Sequence, residues 1–171
     1  MQVCRLDGLV SHLIWFTNEW DGVVLDESGS LLAFRDLSDL RGYAANHGFN
    51  LQEEESEPLD LDEAALWLKS PTTDGIVCAE FLDSWNLFDD IARSILDSAF
   101  PRLSKDASEV YDKLFWGSNL PAMTPPGEHF DPIWSGREVE ELRRVLATGI
   151  MMLRRGLSEI AGDCALSPDP R

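Results

Sequence analysis

Between residues 76 and 100 the chain reads IVCAEFLDSWNLFDDIARSILDSAF, and no other stretch restricts the fold as much. Val77, Phe81, Trp85, Phe88, Ile91, Ile95 and Ala99 recur at steps of three and four, the period of one helical face. Leu82, Leu87, Ala92 and Leu96 widen that face, so the predicted helix must be covered along most of one side. Asp83, Asn86, Asp89, Asp90 and Arg93 fill the remaining strip, which is mostly acidic. One helix therefore asks for a large aromatic and aliphatic core behind it and leaves a negative skin in front.

A second helix of comparable length is predicted over 136–160. Ser135 and Glu138 stand at capping-box spacing. Val139, Leu142, Leu146, Ile150, Leu153, Leu157 and Ile160 share one face. Its length would be about 37 Å at 1.5 Å per residue. Arg143, Arg144, Arg154 and Arg155 make it the only locally basic stretch, and Glu140 precedes Arg144 at the favourable i,i+4 spacing.

The first half of the chain reads differently. Residues 1–8 form a short lead toward a strand. Residues 9–18 are β-branched and aromatic, with apolar side chains on both alternating sets, as in a strand covered on both faces. Residues 22–26 and 31–35 read as a hairpin around Glu27, Ser28, Gly29 and Ser30. Asp36 or Ser38 can cap a helix that carries Leu37, Leu40, Tyr43 and Ala44 and stops at Gly48. Residues 49–52 return as a strand, and a short helix begins near Asp60 or Asp62 with Leu61, Ala65 and Leu68 inward. Ser104 caps a further helix through Trp116. Pro121, Pro125, Pro126 and Pro132 then rule out regular helix or central strand before the last helix. The expected architecture is α+β: a small antiparallel N-terminal sheet packed against a bundle of helices, in a single domain over 1–171 with a frayed tail at 161–171.

Charge narrows the choice of partner. There are 31 acidic and 14 basic residues, for a formal net charge of −17, which would repel the phosphates of nucleic acid and of an anionic membrane. No apolar run is long enough to span a bilayer, no signal peptide is evident, and the reading is a cytoplasmic protein, monomeric or weakly dimeric. Cys4, Cys78 and Cys164 are too far apart to suggest a disulfide frame, and Cys78 reads as a buried thiol.

Acid–base and metal chemistry find little support. His12 lies in an apolar strand, His47 at a helix end, and His129 in the proline-rich segment; none stands at a metal-ligand spacing. Glu128, His129 and Asp131 are the one local group that could contribute ligands to a small hydrolase or metal-dependent enzyme. No glycine-rich phosphate loop occurs, and no cofactor is expected. The sharper feature is an acidic band: Glu53, Glu54, Glu55, Glu57, Asp60, Asp62 and Glu63, with Asp83, Asp89 and Asp90 as support on the central helix. From residue 42 to residue 92 there are twelve acids and one lysine or arginine, Lys69. Carboxylates clustered this way repel one another and attract a cationic surface over a distance. Trp20, Trp67 and Trp116 sit near predicted element ends, where they could anchor an interface.

The hairpin-to-helix segment GVVLDESGSLLAFRDLSDLRGYAANHG, the segment DLDEAALWL and the stretch YDKLFWGSNLPAMTPPGEHFDPIWS together resemble the small acidic immunity proteins of contact-dependent and polymorphic bacterial toxin systems. The resemblance implies a non-catalytic protein that binds and blocks a cognate toxin domain, often a basic nuclease. A regulatory or scaffold module with a different partner fits the same charge pattern.

Overall fold

Asp7 and Gly8 both adopt positive φ, 54° and 73°, and fold the first residues back on themselves. Positive φ at both central positions matches the twist of the flanking strands, which is why Asp-Gly pairs favour two-residue hairpins. In the computed structural model, which describes residues 1–52, 57–101 and 104–163 with side chains through residue 158, this turn joins β1 (Gln2–Leu6) to β2 (Leu9–Leu13). The two strands are antiparallel in a register that pairs Gln2 with Leu13 and Leu6 with Leu9. The lead over 1–8 is thus a central strand of the sheet.

The chain breaks at Ile14. β3 (Trp15–Thr17) pairs antiparallel with β4 (Asp21–Val23) in a separate two-stranded ribbon. β5 (Ala33–Phe34) returns to the edge of the main sheet, beside β2. The expected hairpin of 22–26 with 31–35 therefore reduces to one bridge, Leu25 to Leu31, around a tight Asp26–Ser30 turn. The Asp26 carboxylate accepts from the Ser28 and Ser30 amides and holds that turn. The two flanks diverge because one follows the ribbon and the other follows the main sheet. Residues 49–52 form no strand. The fourth strand is β6 (Leu59–Asp60), which lies parallel to β1, so the sheet is mixed and ordered β5-β2-β1-β6.

α1 (Leu37–His47) starts at Asp36, whose carboxylate accepts from the Ser38 amide at 2.7 Å, and stops at Gly48 with φ 73°. It covers one face of the sheet through Leu40 and Ala44, against Ile14. The other face supplies Cys4, Leu6 and Leu13 to the main core. That core is closed by α2 (Leu61–Trp67), α3 (Cys78–Ser94), α4 (Lys105–Gly117) and α5 (Gly136–Asp163). The helix predicted over 76–100 ends at Ser94, and Leu96 takes a left-handed φ of 55°. Val77, expected inside, stands before the first turn and is 49% exposed. Helix α5 continues to Asp163, so 161–163 are helical rather than frayed; 164–171, with Cys164, lie outside the described residues.

Helices α3 and α5 approach closely. A Cβ placed on Gly149 would stand 2.1 Å from the Phe88 ring, so only glycine admits that ring between the two backbones. Phe88, Leu142, Leu146 and Leu153 are fully buried around this seam. Each such side chain contributes roughly 1.5–3 kcal/mol by leaving water. Ser135 and Glu138 cap α5 as the spacing predicts: Glu138 accepts from the Ser135 amide at 2.7 Å, and the Glu138 amide donates to Ser135 Oγ at 3.4 Å. The α5 arginines find acids close by. Arg143 pairs with Glu140 and Arg144 with Glu141, both at i,i+3, while Arg154 grips Asp7. No helix among the described residues is long and apolar enough to cross a membrane.

Candidate functional site

Helix α3 turns its apolar side to α5 and its acidic strip to α4 and the β3–β4 ribbon. Asn86, Asp89, Asp90 and Arg93 follow one another at steps of three and four or at adjacent positions, so all four edge the same side of the helix. Trp85 starts at the border of that strip. Its ring is buried and meets the Tyr111 ring of α4 edge-on, with centroids 5.6 Å apart and planes at 78°. Trp15 of β3 reaches across from the ribbon and donates its indole N–H to Asp90 Oδ2 at 2.9 Å. The Tyr111 hydroxyl donates to Asn86 Oδ1, also at 2.9 Å.

These groups enclose a cleft of about 790 Å³ whose lining includes Trp15, Trp85 and Tyr111 and the carboxylates of Asp21, Asp89, Asp90 and Asp112. Among the described residues Arg93 is the one cationic side chain in the lining, and it is bonded to Asp89. Asp21 and Asp112 accept no hydrogen bond and enter no ion pair among the described residues. Burial pushes the Asp90 carboxyl above the usual carboxylate range; the bond from Trp15 opposes that shift, Asp21 and Asp89 add to it, and Arg93 opposes it. Tyr111 is likewise pushed up, first by burial, against the bond to Asn86 and with help from Asp89, Asp112 and Asp90. Among the described residues the cleft therefore carries a formal excess of three negative charges beside its aromatic walls, and burial disfavours the charged form of Asp90.

The residues expected to bind a partner do not share one place. Asp89 and Asp90 line the cleft. Asp83 lies nearly two turns earlier on α3, exposed, its carboxyl raised by partial burial. Asp60 and Asp62 serve the fold. Asp60 caps α2 and pairs with Arg5 at 3.0 Å. Asp62 accepts from the amides of Asp7 and Gly8, at 2.6 and 2.9 Å. Both sit toward the Asp7–Gly8 turn of the β1–β2 hairpin, whereas Trp15 follows its opposite end. Glu57 and Glu63 are exposed. Glu53, Glu54 and Glu55 lie outside the described residues.

Of the tryptophans considered as anchors, Trp67 is buried, donates to the Thr72 carbonyl and meets Phe81 edge-on, so it belongs to the core. Trp20 and Trp116 are 40% and 50% exposed. His47 stacks on Tyr43 at the end of α1, and His12 places Nδ1 in the interior without a hydrogen-bond partner. His129 meets Asp131 at 3.0 Å on the open surface. Nearby Cys78 is a half-buried thiol held above its ordinary pKa, first by burial and then by Asp131, the opposite of what activates a cysteine nucleophile. Among the described residues no group of three or more His, Cys, Asp or Glu could hold a metal ion.

The cleft's aromatic members had no sequence signal of their own. Trp85 and Tyr111 read as core positions on two separate helices, and Trp15 as one residue of a strand. Comparison of the chain with family models, with curated proteins and with solved structures gave no match.

Proposed function

We propose that the protein is a non-catalytic binder that neutralises a basic protein partner, as the immunity proteins of bacterial toxin systems do. The observation that carries this reading is the cleft between α3, α4 and the β3–β4 ribbon, where, among the described residues, four aspartates and three aromatic rings meet a single, already engaged arginine. Acids held close together raise the local potential and attract a cationic surface before contact, and concave walls focus that field. The aromatic groups then supply contact area with little rotamer freedom to lose.

The test is association kinetics with the product of the neighbouring reading frame. The association rate constant should approach about 10⁸ M⁻¹s⁻¹ at low salt and fall steeply as salt is added. Replacing Asp21 and Asp112 by Asn should slow association, and replacing Glu53, Glu54, Glu55 and Glu57 by Gln should show how much the acidic band adds. A rate that ignores both salt and these substitutions overturns the proposal.

A further inference from the structure

Resting on the binding role just proposed, we infer that the cleft between α3, α4 and the β3–β4 ribbon is a receptor for one arginine side chain, presented by the partner between Trp15 and Tyr111. The choice of cation follows from the walls and from the spread of the charges. The carboxylates do not draw together as a metal ion would require: no cluster among the described residues has metal-binding geometry. They stand instead around an open cleft of about 790 Å³ with room for a whole side chain, and separate carboxylates beside aromatic rings suit a cation whose charge is spread over a planar fork of donors.

Arginine suits the aromatic lining better than lysine. A guanidinium stacks on ring faces and offers a fork of N–H donors to a carboxylate, whereas an ammonium is compact and keeps its water more strongly. Trp15 is the outer wall. It is 37% exposed, and its indole is fixed by the bond to Asp90. Trp85 and Tyr111 are fixed by their edge-on contact and by Asn86. Along α3 the chain pairs its own Arg93 with Asp89, so that carboxylate is already engaged. Asp21 and Asp112, which accept no hydrogen bond among the described residues, are the acceptors left for an incoming one.

The assignment can be tested on the whole chain without the natural partner. Acetyl-Gly-Arg-Gly-amide and acetyl-Gly-Lys-Gly-amide serve as probes at low ionic strength, with sodium chloride at matched ionic strength as the control. The readout is the Trp15 indole N–H resonance. The arginine peptide should move that resonance saturably and bind at least about fivefold more tightly than the lysine peptide. Asp112→Asn, at an exposed position outside the hydrogen-bond network, should weaken arginine binding by about threefold or more without altering the unfolding midpoint by more than a degree or two. Trp15→Leu, followed at the Trp85 indole N–H instead, should abolish the preference for arginine over lysine. Equal binding of the two peptides, or an arginine response that is the same in wild type and Asp112→Asn, overturns the arginine receptor. So does a Trp15 resonance that stays in place. If the peptide test fails while partner association remains salt-steered, only the identity of the occupant is wrong. If the peptide binds and the partner's association is insensitive to salt, the neutralising role fails and the receptor stands.

Discussion

Asp60 and Asp62 are set in a different environment from Asp89 and Asp90, although all four belong to the same acidic character of the chain. Asp62 accepts from two backbone amides, and Asp60 pairs with Arg5 while capping a helix. Their charges are used up by donors that the fold presents. Asp90 is half-buried beside Asp89 and Asp21, in a place where burial itself disfavours its charge. The first pair stabilises a turn and a helix start. Of the second pair, Asp89 is engaged by Arg93, while Asp90 carries its charge at a cost that a cation from outside would relieve. Acidic composition alone says nothing about which of the two applies; the neighbouring donors decide.

The contrast can be broken most easily at Asp62. Asp62→Ala removes the acceptor of two amides at the β1–β2 turn and should cost about 1–2 kcal/mol in urea unfolding. A change near zero would mean that the turn holds without it. Arg5→Ala removes an ion pair whose two side chains are about 40% exposed, and should cost no more than about 0.5 kcal/mol. The smallest effect has the opposite sign. Asp90→Asn keeps an oxygen that can accept from Trp15 and deletes a disfavoured charge, so the urea midpoint at pH 7 should rise slightly.

The pH dependence of that gain follows from the direction of the shift. A carboxyl whose folded pKa lies above its unfolded one binds its proton more tightly when folded. The contribution of Asp90 is therefore favourable in acid, and is lost as pH rises from the unfolded pKa through the folded one. The advantage of Asp90→Asn should accordingly shrink toward zero as pH is lowered through the carboxylate range. An advantage that persists unchanged in acid would show that Asp90 is not disfavoured in its charged form.

Much of the helical part was legible because its signals are local. The runs from Phe81 to Ile91 and from Leu142 to Leu153 carry their period in the chain, and Ser104, Ser135 and Gly48 mark helix ends by chemistry that acts within one turn. Strand pairing was harder. The Asp7–Gly8 dipeptide carries a hairpin signal that a reading of 1–8 as a lead passes over, and the apolar run 9–18 hides the break at Ile14 because both halves are equally apolar. Pairing of β6 with β1 joins Cys4 to Leu59 across more than fifty residues, which no local pattern specifies. The cleft failed to show for the same reason. Asp89 and Asp90 stood out by their charge, while Asp21, Asp112, Trp15 and Tyr111 come from three other elements and acquire meaning only when the ribbon and α4 close on α3.

The ring of Phe88 lodged against Gly149 has a further consequence. The helix that forms the back wall of the cleft is clamped on its other side by this close junction with α5, so that wall cannot shift without parting the two helices. A visiting side chain meets a surface shaped in advance. Little ordering entropy then remains to be lost on docking, and complexes formed there should resemble the uncomplexed protein closely in backbone.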